Sequence, residues 1–467
     1  MATQTAPSAE GVRPNPGRPS VITFVVCAAA FMAMLDVFVV NVAFTDIGAE
    51  FGARLGDLSW VLNAYAIVYA ALLVPAGRLA DRYGRKPAFL AGLAVFTVAS
   101  AACSLAPQLW WLVFFRGVQA VGAALLTPAS LGLLLTVLPA ERRAGAVRIW
   151  ATTSSFAAAV GPVVGGGLVE LSWRWVFLIN IPVGVAAFAV ARQVLPDLRD
   201  TSAVRLPDPL GTAALVVAFG ALSLGLVKGQ DWTWTGAATV TTFAVAAAGI
   251  AVFVVRILNH PAPVVDPALF RTPAFVWANV TVLLFCTAFG AVFPSVVLWL
   301  QGPAGYSALG TGLAIAPGPL MVPLFAAVGR RPATRVPAGA LVAAGNLLFA
   351  GGALLLAASA SADTRYATQI LPGWLVIGAG IGLALPVMLS RATAELPAGQ
   401  AATGSAVVNA GRQLGYVLGV AILVAVLGTA GPTADPAHTF RPAWWFIAAT
   451  AAGSAATAFG ITGRTRS

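Results

Sequence analysis

The chain has 467 residues; 59% are hydrophobic and only 9% are Asp, Glu, Lys or Arg. A water-soluble chain carries about 25% charged residues, so an ordinary soluble enzyme, a disordered regulator and a secreted disulfide scaffold are excluded, and a polytopic membrane protein remains. The net charge of +11 reads as basic residues gathered in cytoplasmic loops in preference to a nucleic-acid surface, so the lipid bilayer is an expected partner and nucleic acid is not.

In chain order, residues 1–20 are polar and Pro-rich and predict a disordered tail. The apolar run 21–44 is too long for a signal-peptide core and lacks a cleavage pattern, so it is the first span. Further runs at 58–77, 88–106, 109–135, 147–169, 175–195, 209–227, 236–258, 274–300, 308–328, 337–360, 368–390, 404–429 and 443–462 bring the count to about fourteen. With the N-terminus in the cytoplasm, 20 of the 27 Lys and Arg fall in cytoplasmic segments, 5 in outer loops and 2 inside spans. That alternation supports the count and puts both termini in the cytoplasm. Trp110, Trp111, Trp173, Trp175, Trp232 and Trp234 stand near outer helix ends, as interfacial anchors do. Gly411, Gly415 and Gly419 form a small-residue ridge on the thirteenth span.

Chemistry-bearing residues are few. Cys27, Cys103 and Cys286 lie in apolar runs, and His260 and His438 stand in Pro-containing loops, which leaves little for a metal or catalytic centre. The reading is therefore not an enzyme. Charges inside a span are costly and mark function by default. Asp36 lies about 12 Å into the first span from its outer end, and Arg116 about 10 Å into the fourth. They share a layer and could pair. A carboxylate that meets a guanidinium only part of the time, in a cavity whose wetting changes, can take up and release protons, because desolvation and a neighbouring cation act on its ionisation in opposite directions. A fixed pair pinning two helices would use the same residues. Arg412, about 12 Å into the thirteenth span, shares a face with Asn409. It reads either as a substrate or anion contact, or as a base satisfied by a neighbouring helix. Asn41, Asn63, Tyr65 and Gln119 are candidate cavity-lining residues, and each could equally make helix–helix hydrogen bonds.

The loop between the second and third spans reads Gly77-Arg78-Leu79-Ala80-Asp81-Arg82-Tyr83-Gly84-Arg85-Lys86-Pro87. Positive-inside bias does not explain its spaced glycines or its lone acid. The string resembles the signature loop of the major facilitator superfamily. Leu35-Asp36 with Val39–Ala43, and Arg116-Gly117-Val118-Gln119 through Ala123, are similar to the first and fourth helices of the fourteen-span drug:proton antiporters. Gly161-Pro162-Val163-Val164-Gly165-Gly166 resembles the exporters' fifth-helix motif, and Trp173-Arg174-Trp175 with Phe177, Asn180 and Pro182 also fits that subgroup.

The resemblance implies an all-α membrane protein of the major facilitator fold, with two six-helix bundles (21–200 and 263–467) and two inserted helices (201–262). It implies proton-coupled efflux of amphiphilic drugs or antibiotics by alternating access, from a monomer in a bacterial cytoplasmic membrane. The proton gradient would drive it, with no cofactor. Asp36 and Arg116 would couple protons. Asp81 would be a conformational latch framed by Gly77 and Gly84, with Arg82 and Arg85 as partners. Gly161, Pro162, Gly165 and Gly166 would form a pivoting helix. The second copy of the signature loop, near Gly329-Arg330-Arg331, has Pro332, Ala333 and Thr334 where an acid is expected. No acid lies in the tenth or thirteenth span, which argues against dications and for neutral, zwitterionic or weakly anionic substrates. Rival readings are a metabolite importer, disfavoured by the Gly161-Pro162 motif; a membrane-embedded enzyme, which lacks a clustered site; and a non-transporting sensor.

Overall fold

The computed structural model describes residues 18–196, 208–330, 336–361, 365–397, 400–428 and 435–461. Most of the expected disordered tail, the acid-free part of the second loop copy and the boundary expected at 200/201 therefore lie outside the described residues. Among these, every regular element is helical. In lipid the backbone must satisfy its own hydrogen bonds, and a helix does this within one segment.

Among the described residues, thirteen helices are long and apolar enough to cross a bilayer. They are α1 (Arg18–Val42), α3 (Leu55–Tyr83), α4 (Arg85–Ser104), α5 (Leu109–Val137), the pair α7 (Trp175–Leu178) and α8 (Asn180–Val194), α9 (Pro209–Lys228), α10 (Ala237–Asn259), α11 (Pro273–Gln301), the pair α12 (Ala308–Ile315) and α13 (Pro317–Val328), α14 (Ala338–Ser359), α15 (Leu371–Ala392), α16 (Ala401–Leu427) and α17 (Pro436–Thr457). The fourteenth, α6 (Ala140–Val169), has its apolar part at Phe156–Val169. A short helix, α2 (Phe44–Phe51), follows the first span; its eight residues are too few to read as a span. The tenth span breaks at Ala316-Pro317, because proline cannot donate into the preceding turn. His438, expected in a loop, sits in the first turn of α17 beside the capping Asp435.

Helices α1 and α3–α8 pack on one another, as do α11–α17. The same device holds an equivalent pair in each set. Gly92 of α4 and Gly122 of α5 bring their backbones so close that a methyl group on either would sit 2.8 or 2.7 Å from the other's carbonyl oxygen. Gly345 of α14 and Gly380 of α15 do the same at 2.7 and 2.5 Å. Gly415 and Gly419 of α16 meet the backbone of α11, as the ridge predicted. The α9–α10 hairpin packs through α9 on both α3 and α16. A bidentate pair, Arg256 to Asp208 at 2.6 and 2.8 Å, clamps its ends at one side. At the other side Lys228 bonds Asp57 of α3 at 2.7 Å.

Trp110, Trp111, Trp175 and Trp234 are exposed at their helix ends, as interfacial anchors require. Trp173 is not: it is 3% exposed and donates to Glu50 of α2 at 2.6 Å. Its indole N–H found a carboxylate under the loop, and its ring packs edge-on against Phe51 and Phe177. Arg174 reaches the same Glu50, and that hydrogen bond holds the Glu50 carboxyl below its ordinary value.

Candidate functional site

Asp36 and Arg116 meet. Arg116 Nη1 lies 2.5 Å from Asp36 Oδ2, and each residue is 1% exposed. The alignment follows from two antiparallel helices whose charged residues sit at matching depth. The carboxylate accepts from two further donors, Gln119 Nε2 at 3.0 Å and Asn180 Nδ2 at 2.9 Å. The guanidinium also donates to Gln119 Oε1 at 2.7 Å and, through Nε, to the Val61 carbonyl of α3 at 3.2 Å. It stacks over the Tyr65 ring at 4.2 Å. Such a buried pair persists only when its remaining hydrogen-bonding capacity is filled, and here four helices fill it.

Asn180 belongs to this group as a ligand of the carboxylate, a role that went unassigned. It stands where α7 gives way to α8, and it also donates to Ser100 of α4 at 3.0 Å. Ser100 in turn donates to the Phe177 carbonyl at 2.8 Å. The sequence signals were a polar residue inside an apolar run and its place in the Trp173–Pro182 stretch, and neither says what it faces.

Beside the pair lies a cavity bounded by α1, α3, α5, α6, α11 and α16, with about 1230 Å³ of atom-free space counting the open solvent at its mouth. Asn41, Tyr65, Asn409 and Arg412 line it, together with Arg116. Asp36 does not; Arg116 and Tyr65 stand between. Two expected lining residues are elsewhere. Asn63 is fully buried and donates to Ser223 of α9 at 3.1 Å. Two residues before Tyr65 is about 200° around the helix, which turns it away from the cavity. Gln119 is fully buried in the ion-pair group, one turn from Arg116. Most of the rest of the wall is apolar or aromatic, including Phe38, Trp150, Phe289 and Phe293, with Thr127, Ser130 and Gln413 as further polar groups.

The two helix sets close on each other at the arginine-poor end of this cavity. Phe38 meets Phe293 edge-on with centroids 5.5 Å apart, and Asn41 and Tyr416 share hydrogen bonds of 3.4 Å. Gln301 donates to the Val42 carbonyl at 3.0 Å and accepts from Thr45 at 2.6 Å. The fifth-helix glycines take part. A methyl group at Gly161 would sit 2.7 Å from Phe38 Cβ, and one at Gly165 would sit 3.0 Å from Val39 Cα, so both face α1. One at Gly166 would sit 2.5 Å from the Ala308 carbonyl oxygen of α12. Gly312 returns the contact against the backbone carbonyl of Pro162.

At the arginine-rich end, Gly84 turns the chain from α3 to α4 with φ +106°, a conformation that L side chains avoid. Gly77 lies against Pro128 of α5. Asp81 pairs with Arg85 at 3.1 Å, and Arg85 donates on to the Gly132 carbonyl of α5 at 2.7 Å. These contacts stay within the first helix set. Of the two expected partners, Arg85 is bonded to Asp81, and Arg82 carries its guanidinium over the Tyr83 ring at 5.6 Å.

A model of the Major Facilitator Superfamily matches residues 26–420. The methylenomycin A resistance protein of Streptomyces coelicolor is 35% identical over 413 residues, covering 88% of this chain and 86% of that protein. The tetracenomycin C resistance and export protein of Streptomyces glaucescens is 32% identical over 433 residues, covering 91% and 79%. The multidrug resistance protein Stp of Mycobacterium tuberculosis is 32% identical over 402 residues, covering 85% and 74%. A solved structure of a POT family transporter with 5-aminolevulinic acid has a TM-score of 0.71 at 15% identity over 97% of each chain, a likeness of fold. The chain belongs to the major facilitator superfamily.

Proposed function

We propose that this protein exports amphiphilic drugs or antibiotics across the cytoplasmic membrane in exchange for protons. The observation that carries the proposal is the burial of Asp36 behind Arg116, one side-chain layer from an aromatic cavity. The relatives named for resistance and export support the direction of transport.

With the arginine-rich end in the cytoplasm, the contacts around Phe38, Gln301 and Gly166 close the outer side. The division into 21–200, 201–262 and 263–467 gives two bundles that rock about the cavity, with the hairpin riding on both. Protonation of Asp36 from outside removes the negative charge that holds Arg116, Gln119 and Asn180 together. The freed guanidinium then reorganises the cavity wall and substrate leaves; loss of the proton to the cytoplasm resets the group. The Asp81–Arg85 pair is the latch in its released form, engaging the second bundle only when the inner side closes. The protein works as a monomer with both termini cytoplasmic, and the gradient is its sole energy source.

The test is Asp36→Asn in inverted vesicles carrying an imposed pH gradient. Gradient-driven substrate movement should fall at least tenfold, while the protein is produced at normal levels. Full-rate transport by the variant overturns the assignment of Asp36.

A further inference from the structure

Within the cavity the two guanidiniums have different company. Arg116 is paired with a carboxylate. Arg412 is not: its Nη1 donates to Asn409 Oδ1 at 3.0 Å, a neutral acceptor on its own helix, and its buried Nε has no hydrogen-bond partner. Among the described lining residues there is no Asp or Glu at all. Its other neighbours are neutral: the Cys286 sulfur, within hydrogen-bonding reach of the guanidinium, and Tyr69, whose hydroxyl is already given to Thr127 at 3.0 Å. A guanidinium with a desolvated, unfilled N–H and no counter-charge is expensive to keep. Its planar fork fits a carboxylate in two parallel hydrogen bonds. The facing wall supplies flat apolar contact from Phe289 and Phe293.

We propose that Arg412 is the anchor for a carboxylate, or a comparably acidic group, on an aromatic or otherwise apolar exported molecule. The substrate class is the amphiphilic organic anion, and Gln413 and Asn409 frame the same corner. This rests on the export reading above, and it deepens it: Arg116, neutralised by Asp36, is silent toward an anion, so Arg412 alone among the described lining cations reads the charge.

Three probes with one fluorophore separate charge from greasiness: dansylglycine (anionic), dansylglycinamide (neutral) and dansylcadaverine (cationic). Equilibrium binding to the full-length protein in nanodiscs, without any gradient and with empty nanodiscs subtracted, gives the affinities. Dansylglycine should bind about 10- to 100-fold more tightly than dansylglycinamide, with dansylcadaverine weakest. Arg412→Gln should erase the anion preference and leave neutral binding within about twofold. Arg412→Lys should restore part of it, since the charge returns without the fork. Equal binding of the three probes by the wild type, or a preference that survives Arg412→Gln, overturns the proposal. Arg412-dependent binding of a probe that no proton gradient moves would count against the export reading and leave this assignment standing.

Discussion

Three donors and no acceptor surround Asp36. Arg116, Gln119 and Asn180 all give it hydrogen atoms, which suits a carboxylate and not a carboxylic acid. A protonated Asp36 needs an acceptor, and the buried Oδ1 of Asn180 has no partner. Rotation of that amide would turn an acceptor toward the acid, so Asn180 can serve both protonation states. Asn180→Ala should therefore cost about 1.5–3 kcal/mol, the worth of a hydrogen bond to a charged group, and lower the unfolding temperature of the purified protein by a few degrees. It should also slow gradient-driven export, whereas a merely structural asparagine would lower stability with the export rate per folded molecule unchanged. Depth arithmetic made the Asp36–Arg116 pairing legible, since charges in an apolar run stand out and helix rise is constant. Asn63, Gln119 and Asn180 were less legible. An amide in a span signals a partner without naming it, and a two-residue shift changes the face by more than half a turn.

The helix α6 carries two glycine faces with different duties. Gly161 and Gly165 seat it on α1, and Gly166 seats it on α12 of the other helix set. Because the atoms a Gly166 side chain would meet are backbone, they cannot rotate away. Gly166→Val should prevent full closure of the arginine-poor end, and Gly167→Ala, where an added methyl group meets nothing within 4 Å, should not. The check is the yield of a short thiol cross-link between Thr45→Cys and Gln301→Cys, which should drop several-fold in Gly166→Val and hold in Gly167→Ala. An unchanged yield in Gly166→Val would mean the close approach is not needed for closure. The small-residue spacing in the sequence indicated close packing; it carried no information about which neighbour each glycine served. The break at Ala316-Pro317 was likewise hidden, because its prolines lie in an otherwise continuous apolar run.

Across the whole molecule, the two helix sets touch where the chain is poor in arginine and enclose a cavity between α1, α3, α5, α6, α11 and α16. If transport alternates the open side, fixing that end must stop it. The Thr45→Cys/Gln301→Cys protein, bridged by a short bifunctional thiol reagent, should lose at least nine-tenths of its export, and a reductant should restore it. Quantitative bridging with export intact would exclude alternation at this end.

Composition, run length and loop charge determined the membrane class, the helix number and the position of the two deep charges, because hydropathy and helix rise act on each segment separately. The identity of the residues that wall the cavity, the amide that completes the carboxylate's shell and the unmatched state of Arg412 were decided only by the tertiary structure. Each depends on how one helix is rotated against another, and that rotation is set by packing between segments far apart in the chain.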